Sequence, residues 1–209
     1  MFETSTLLTY ITASILIILA PGPAQALVIT RTIGEGRKAG IITAVGLNTA
    51  VFVHAIGAAV GLSAILSTSI TAFNVVKYIG AVYLIYLGIN AFKARQDLDI
   101  VSGLSNKEHT GYFTKAFITG VLNPKVALFF LAFVPQFVDP RRGWVIMQFI
   151  LLGGILAALD IVYESLLAVI VAKTSDWFAG NSRIHKWRQR VTGAVLIGLG
   201  VRLFFMKQI

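Results

Sequence analysis

Ala20-Pro21-Gly22-Pro23-Ala24-Gln25-Ala26-Leu27 interrupts an apolar run that extends from Thr6 to Thr30. Asn123-Pro124-Lys125-Val126-Ala127-Leu128 interrupts another, from Tyr112 to Phe137. Both carry one pattern: Pro23 is followed at the same spacing by Ala26-Leu27 as Pro124 is by Ala127-Leu128. Inside a water-exposed helix such a proline costs about 3 kcal/mol, because it removes a backbone donor and crowds the preceding turn. A membrane protein can use the broken turn to line a buried polar cavity. Breaks in corresponding segments of two halves are the sequence pointer to a transporter's binding site.

Outward from these breaks, composition places the chain in a bilayer. Hydrophobic residues make up 56% and charged residues 13%, against roughly 45 to 50% and about 25% in soluble proteins. No Asp, Glu, Lys or Arg occurs between Lys38 and Lys77, a stretch well beyond the ~20 residues that one span requires. It is read as one span, a loop from Ser63 to Asn74, and the start of the next. The apolar runs are Thr6 to Thr30, Ala39 to Leu66, Val75 to Phe92, Tyr112 to Phe137, Trp144 to Ala172 and Val191 to Met206.

Six spans in 209 residues leave one domain and no room for a soluble catalytic unit. With no cysteine, disulfides, thiol catalysis and thiolate metal sites are excluded. Ala24-Gln25-Ala26 mimics a signal-peptide cleavage site, but the residues before it include Glu3 and no Lys or Arg, so the segment reads as retained.

The net charge of +9 does not form the basic domain of a nucleic-acid binder. Its residues sit in short loops and report orientation. Arg31, Arg37 and Lys38; Lys93, Arg95, Lys107 and Lys115; and Lys173, Arg183, Lys186, Arg188 and Arg190 fall in the first, third and fifth loops. Lys77, Arg141, Arg142 and Lys207 fall on the other side. The richer loops are expected in the cytoplasm and both termini outside. A five-span version with one re-entrant segment is the alternative, since Pro124 splits the fourth run.

The halves also resemble each other. Leu84-Ile85, Leu87-Gly88 and Phe92 recur at the same spacing as Leu196-Ile197, Leu199-Gly200 and Phe204. Arg37-Lys38-Ala39-Gly40 answers to Arg141-Arg142-Gly143. Three spans per half is an odd number, so the second copy is inverted relative to the first. The expected fold is therefore an all-α integral membrane protein of about six helices in two inverted three-helix repeats, about 1–105 and about 106–209, with helices 1 and 4 broken. Chance recurrence of common membrane residues is the competing explanation.

Several polar groups could carry chemistry. The turn at Pro21, Gly22, Pro23 and Ala24 frees backbone amides that can hold a carboxylate and carbonyls that can hold a cation, and Gly22 permits conformations closed to other residues. Gln25 lies just beyond. Asn123, Pro124 and Lys125 add an amide and an ammonium. A charge at mid-bilayer costs roughly 2.5 to 3.5 kcal/mol and usually has a partner or a task. Lys125 could attract a substrate carboxylate or pair with an acid; the plainer reading is that it snorkels to the interface.

Asp160 and Glu164 are one turn apart on one face of the fifth span. Asp160 lies about 24 Å along the helix from Trp144, past the midplane of a ~30 Å core. Two acids so placed suit a coupling proton or an amino group; a structural pairing with Lys125 or Arg202 is the alternative. His54 has a titration range suited to proton transfer or serves only packing. Asn48 may share the cavity or merely contact a neighbouring helix. Gly57, Gly61, Gly80, Gly88, Gly153, Gly154, Gly193 and Gly200 read as close helix contacts.

Together these motifs resemble the lysine exporter and homoserine/threonine resistance group (LysE/RhtB) of bacterial inner-membrane amino-acid exporters. The resemblance covers almost the whole chain. It rests on Pro21-Gly22-Pro23 with Arg31 and Gly36-Arg37-x-Ala39-Gly40, on Gly46 to His54, Lys77 to Gly88 and Asn123-Pro124-Lys125, on Phe133-x-Pro135-Gln136-Phe137, and on Asp160. It implies export of amino acids or derivatives driven by an ion gradient, without ATP. Ala24 and Ala50 stand where members often carry glycine (or, at the first, a small polar residue), and the acid at Glu164 is not a feature of the group; these departures bear on the substrate.

The expectation is thus a secondary exporter, not an enzyme. Pro21, Gly22, Pro23, Ala24, Gln25, Asn48, Asn123, Pro124 and Lys125 are expected to bind substrate, and Asp160, Glu164 and His54 to serve ion coupling. Expected partners are an amino acid, H⁺ or Na⁺, the bilayer and, as a compatible assembly, a second copy in a homodimer. No nucleic acid, metal or cofactor is expected. A passive channel or membrane-assembly component is the alternative, separable by whether flux saturates and needs a gradient.

Overall fold

The computed structural model describes residues 2–20, 22–68, 70–93 and 111–174, together with 190, 193, 194, 196–198, 200, 201, 204 and 205. Within them every regular element is a helix. The chain runs through α1 (Thr4–Leu19), α2 (Pro23–Glu35), α3 (Arg37–Thr49), α4 (Val51–Thr68), α5 (Ile70–Lys93), α6 (Tyr112–Val121), α7 (Pro124–Leu128) and α8 (Val145–Lys173).

Proline dictates the two breaks. α1 and α2 form one apolar run bent by 55°, and α6 with the segment Pro124–Phe137 forms another bent by 44°. In each, the proline is the first residue of the new helix, the position where its missing N–H costs nothing. A third proline remodels the end of the second run. Pro135 cannot donate to the turn before it, and the chain passes from a wide π turn at Phe129–Phe133 to a tight 3₁₀ turn at Val134–Phe137.

Two helices are long and apolar enough to cross a membrane unbroken, Arg37–Gly61 and Val145–Lys173; with each bent pair counted as one span there are up to four among the described residues. α5 spans Ile70–Lys93, but its apolar portion, Tyr78–Asn90, is shorter. Part of the expected sixth helix lies outside the described residues, as does Pro21. The expected loop from Ser63 to Asn74 is corrected: α4 continues to Thr68 and α5 begins at Ile70. Serine and threonine suggested a loop, but the stretch holds no glycine or proline to stop a helix.

Packing separates two cores. A large one gathers Tyr10, Ile17 and Ile18 of α1, Phe129, Phe130, Phe133 and Phe137 of the second broken run, and Phe149, Leu152 and Leu156 of α8. The Tyr10 hydroxyl donates to the Leu152 carbonyl at 2.8 Å, so this core also fixes α1 against α8. A small core joins Leu27, Val28, Ala44, Leu47, Ala116 and Ala168 from α2, α3, α6 and α8.

Glycine sets how closely the helices approach. A Cβ on Gly46 would lie 2.6 Å from the Phe113 carbonyl and one on Gly120 2.7 Å from the Leu47 carbonyl, so α3 and α6 touch backbone to backbone. Of the glycines expected at contacts, Gly88, Gly153, Gly193 and Gly200 are indeed crowded, whereas Gly57, Gly61 and Gly154 meet nothing within 4 Å. The Gly57/Gly61 spacing is compatible with packing, but their positions here face open space.

Candidate functional site

Between the two cores lies a narrow cleft, with about 20 Å³ of accessible space, lined by Ile18, Ala24, Gln25, Leu47, Asn48, Val51, Gly120, Asn123, Lys125, Val126, Asp160 and Glu164. Both breaks open onto it. The helical ladder of α2 begins with Ala26 N–H to Gly22 O, which leaves the amides of Ala24 and Gln25 ahead of it at the positive end of the helix. Asn123 caps α7 by accepting the Lys125 N–H at 3.0 Å.

The breaks complete each other. Helix α1 ends without a following turn, so its last carbonyls need donors. Lys125 supplies them from the other break, with Nζ 2.9 Å from Ala20 O and 3.3 Å from Ile17 O. Gln25 Nε2 donates to Ile18 O across the bend. Lys125 therefore does not snorkel to the interface. Gly22 also needs correction: its φ of −161° and ψ of −179° are extended values that any residue adopts. A Cβ there would meet the Lys125 ammonium at 3.6 Å, an ordinary contact.

α8 brings the acids to the opposite wall. Glu164 is 1% exposed and its Oε2 accepts Asn48 Nδ2 at 3.2 Å. The Lys125 charge attracts both carboxylates. Asn48 Nδ2 donates a second bond to Ala44 O at 3.0 Å. Two acceptors on one nitrogen fix the orientation of the amide. Its Oδ1 is buried and, among the described residues, receives no hydrogen bond. A buried acceptor without a donor is costly, and a ligand ammonium or hydroxyl in the cleft would relieve that cost.

Of the expected site residues, Ala24, Gln25, Asn48, Asn123, Lys125, Asp160 and Glu164 line the cleft. Gly22 and Pro23 form the first bend and Pro124 the second, without lining it. His54 lies elsewhere: its Nε2 is 3.0 Å from the Gly120 carbonyl, which also accepts the Asn123 N–H at 3.1 Å, and its ring stacks on Phe130. Ile18, Leu47, Val51, Gly120 and Val126 were not legible as site residues. Helical spacing is their only signal, Leu47 and Val51 flanking Asn48 on one face. No group of three or more metal-ligating side chains occurs among the described residues.

Residues 15–207 match the family model described as LysE type translocator. The "Uncharacterized membrane protein YrhP" of Bacillus subtilis is 32% identical over 205 residues, covering 94% of this chain and 97% of its own. The "Homoserine/homoserine lactone efflux protein" of Salmonella typhimurium is 28% identical over 194 residues, 93% of each chain. No solved structure matches the chain.

Proposed function

The chain belongs to the LysE type translocator family, and we propose that it is a secondary active exporter of amino acids or amino-acid derivatives across the bacterial inner membrane, driven by an ion gradient. The observation that carries this reading is the cleft where two helix breaks meet the buried Glu164 and the half-buried Asp160. Its poles suit a zwitterion. A substrate carboxylate is held by the Ala24 and Gln25 amides and by Lys125, and an amino group by Asp160 and Asn48 Oδ1. A small polar amino acid or its lactone is the first substrate to try, since one relative is named for homoserine and homoserine lactone efflux.

Charge balance supplies the coupling. Two carboxylates against one ammonium leave one negative charge in a medium where unpaired charge is costly. A proton or Na⁺ entering with or against the substrate neutralises it, Asp160 being the exchanging group and Glu164 the one anchored by Asn48. Alternating access moves one half against the other about this site, within a fold of two inverted three-helix repeats. The basic loops face the cytoplasm and both termini the outside, and a homodimer is compatible with this arrangement.

The test is efflux from proteoliposomes loaded with a panel of labelled amino acids, with and without an imposed H⁺ or Na⁺ gradient. Saturable, gradient-dependent efflux is expected; gradient-independent, non-saturating flux would make the protein a passive channel. Asp160→Asn should abolish coupled efflux while the protein still folds. Normal coupled efflux by that variant refutes the role of Asp160.

A further inference from the structure

The route from the cleft to the end of the molecule that carries Arg37 and Lys38 is closed by one thin layer. One helical turn from the cleft residues Ala24, Asn48, Gly120 and Glu164 lie Val28, Ala44, Ala116 and Ala168. These four belong to one buried cluster with Leu27 and Leu47, and three of the four are alanines. A single turn is about 5.4 Å deep. In the other direction stands the large aromatic core, with Tyr10, Phe129 and Phe133 fully buried.

Beyond the thin layer three side chains tie α2 to α6. Arg31 pairs with Glu35 at 2.5 Å. Tyr112, the first residue of α6, donates its hydroxyl to the other Glu35 oxygen, and the Arg31 guanidinium lies 5.6 Å from the Tyr112 ring centroid. Arg31 is only 8% exposed and Glu35 and Tyr112 are half-buried, so screening weakens this cluster less than it weakens a fully exposed pair. At the opposite end Arg142 pairs with Glu3 and Asp139, but there the side chains are 42 to 67% exposed.

We propose that Arg31, Glu35 and Tyr112 form a gate latch that holds α2 against α6 over the alanine layer, and that the latch must release for the cleft to open at this end. The proposal rests on the export reading for its role in transport. Physically it requires only that the latch and the layer open together. A pair within one helix would do nothing of the kind; Tyr112 makes it a link between two helices that move apart.

The native chain has no cysteine, so a cross-link between introduced cysteines can test the latch directly. In Glu35→Cys/Tyr112→Cys protein, folded and reconstituted before treatment with a bifunctional methanethiosulfonate that spans the gap left by the two long side chains, too wide for a direct disulfide, the cross-link should lower efflux at least ten-fold and dithiothreitol should restore it. Equal efflux from the cross-linked and reduced forms overturns the latch. A second measurement needs no transport: N-ethylmaleimide should modify Val28→Cys several-fold faster when Tyr112→Phe is added, and an unchanged rate overturns the proposal. If the cysteine-free protein shows no efflux, the export reading fails, and the labelling rates still decide the latch.

Discussion

Replacing Lys125 by methionine keeps the length of the side chain and removes the charge that joins the two breaks. Two hydrogen bonds to α1 carbonyls disappear, one at 2.9 Å and a weaker one at 3.3 Å. Bonds from a charged donor contribute about 1.5 to 3 kcal/mol each, so their combined loss is about 3 kcal/mol. The same change leaves Asp160 and Glu164 without their positive neighbour. Neutralising one of them should then recover part of the loss, by about 1 to 2 kcal/mol as a coupling energy. The assay is denaturant unfolding in mixed micelles for Lys125→Met, Asp160→Asn and the double variant. If Lys125→Met costs less than about 1 kcal/mol and the two changes simply add, Lys125 neither caps α1 nor balances the acids.

Asn48→Leu keeps the branched shape of the side chain in a somewhat larger volume but removes the donor to Glu164 and the acceptor facing the cleft. Half-maximal efflux should require roughly ten-fold more substrate, the equivalent of one lost hydrogen bond of about 1.4 kcal/mol; an unchanged concentration dependence would remove Asn48 from the binding site. Gly46→Ala forces a Cβ to within 2.6 Å of the Phe113 carbonyl and should destabilise the protein by about 1 to 3 kcal/mol through overpacking. Gly154→Ala, with nothing within 4 Å, should stay within about 0.5 kcal/mol in the same unfolding assay.

The breaks and most of the cleft were legible because a bilayer makes polar residues conspicuous. Asn123, Lys125, Asp160 and Glu164 stand out in apolar runs where each must have a partner or a task. The identity of the partner is another matter, because pairing across helices is a tertiary fact. Lys125 reaches α1 carbonyls more than a hundred residues away, and His54 turns to the Gly120 carbonyl of α6, 66 residues away. Alanines gave no signal at all, so the layer of Ala44, Ala116 and Ala168 emerges only when three helices are stacked in register. Arg31 read as an orientation charge until Tyr112 was brought beside Glu35, 77 residues away in sequence.

A broken helix normally exposes its unpaired carbonyls, and the paired prolines were read as a source of such groups for a ligand. The geometry divides the two polarities instead. The carbonyl end of the first break is met by Lys125 and Gln25, and at the second break the Asn123 side chain takes the Lys125 N–H, so the positive start of α2 is what the breaks offer the cleft. On the proposed function, cation binding would then fall to Asp160, Glu164 and the Asn48 oxygen across the cleft. An anion would contact the first break and Lys125 and a cation α3 and α8, so a zwitterion bound between them would bridge the two sets of elements. Releasing it removes that bridge, which is the differential contact a substrate needs if its binding is to shift the balance between two arrangements of the helices.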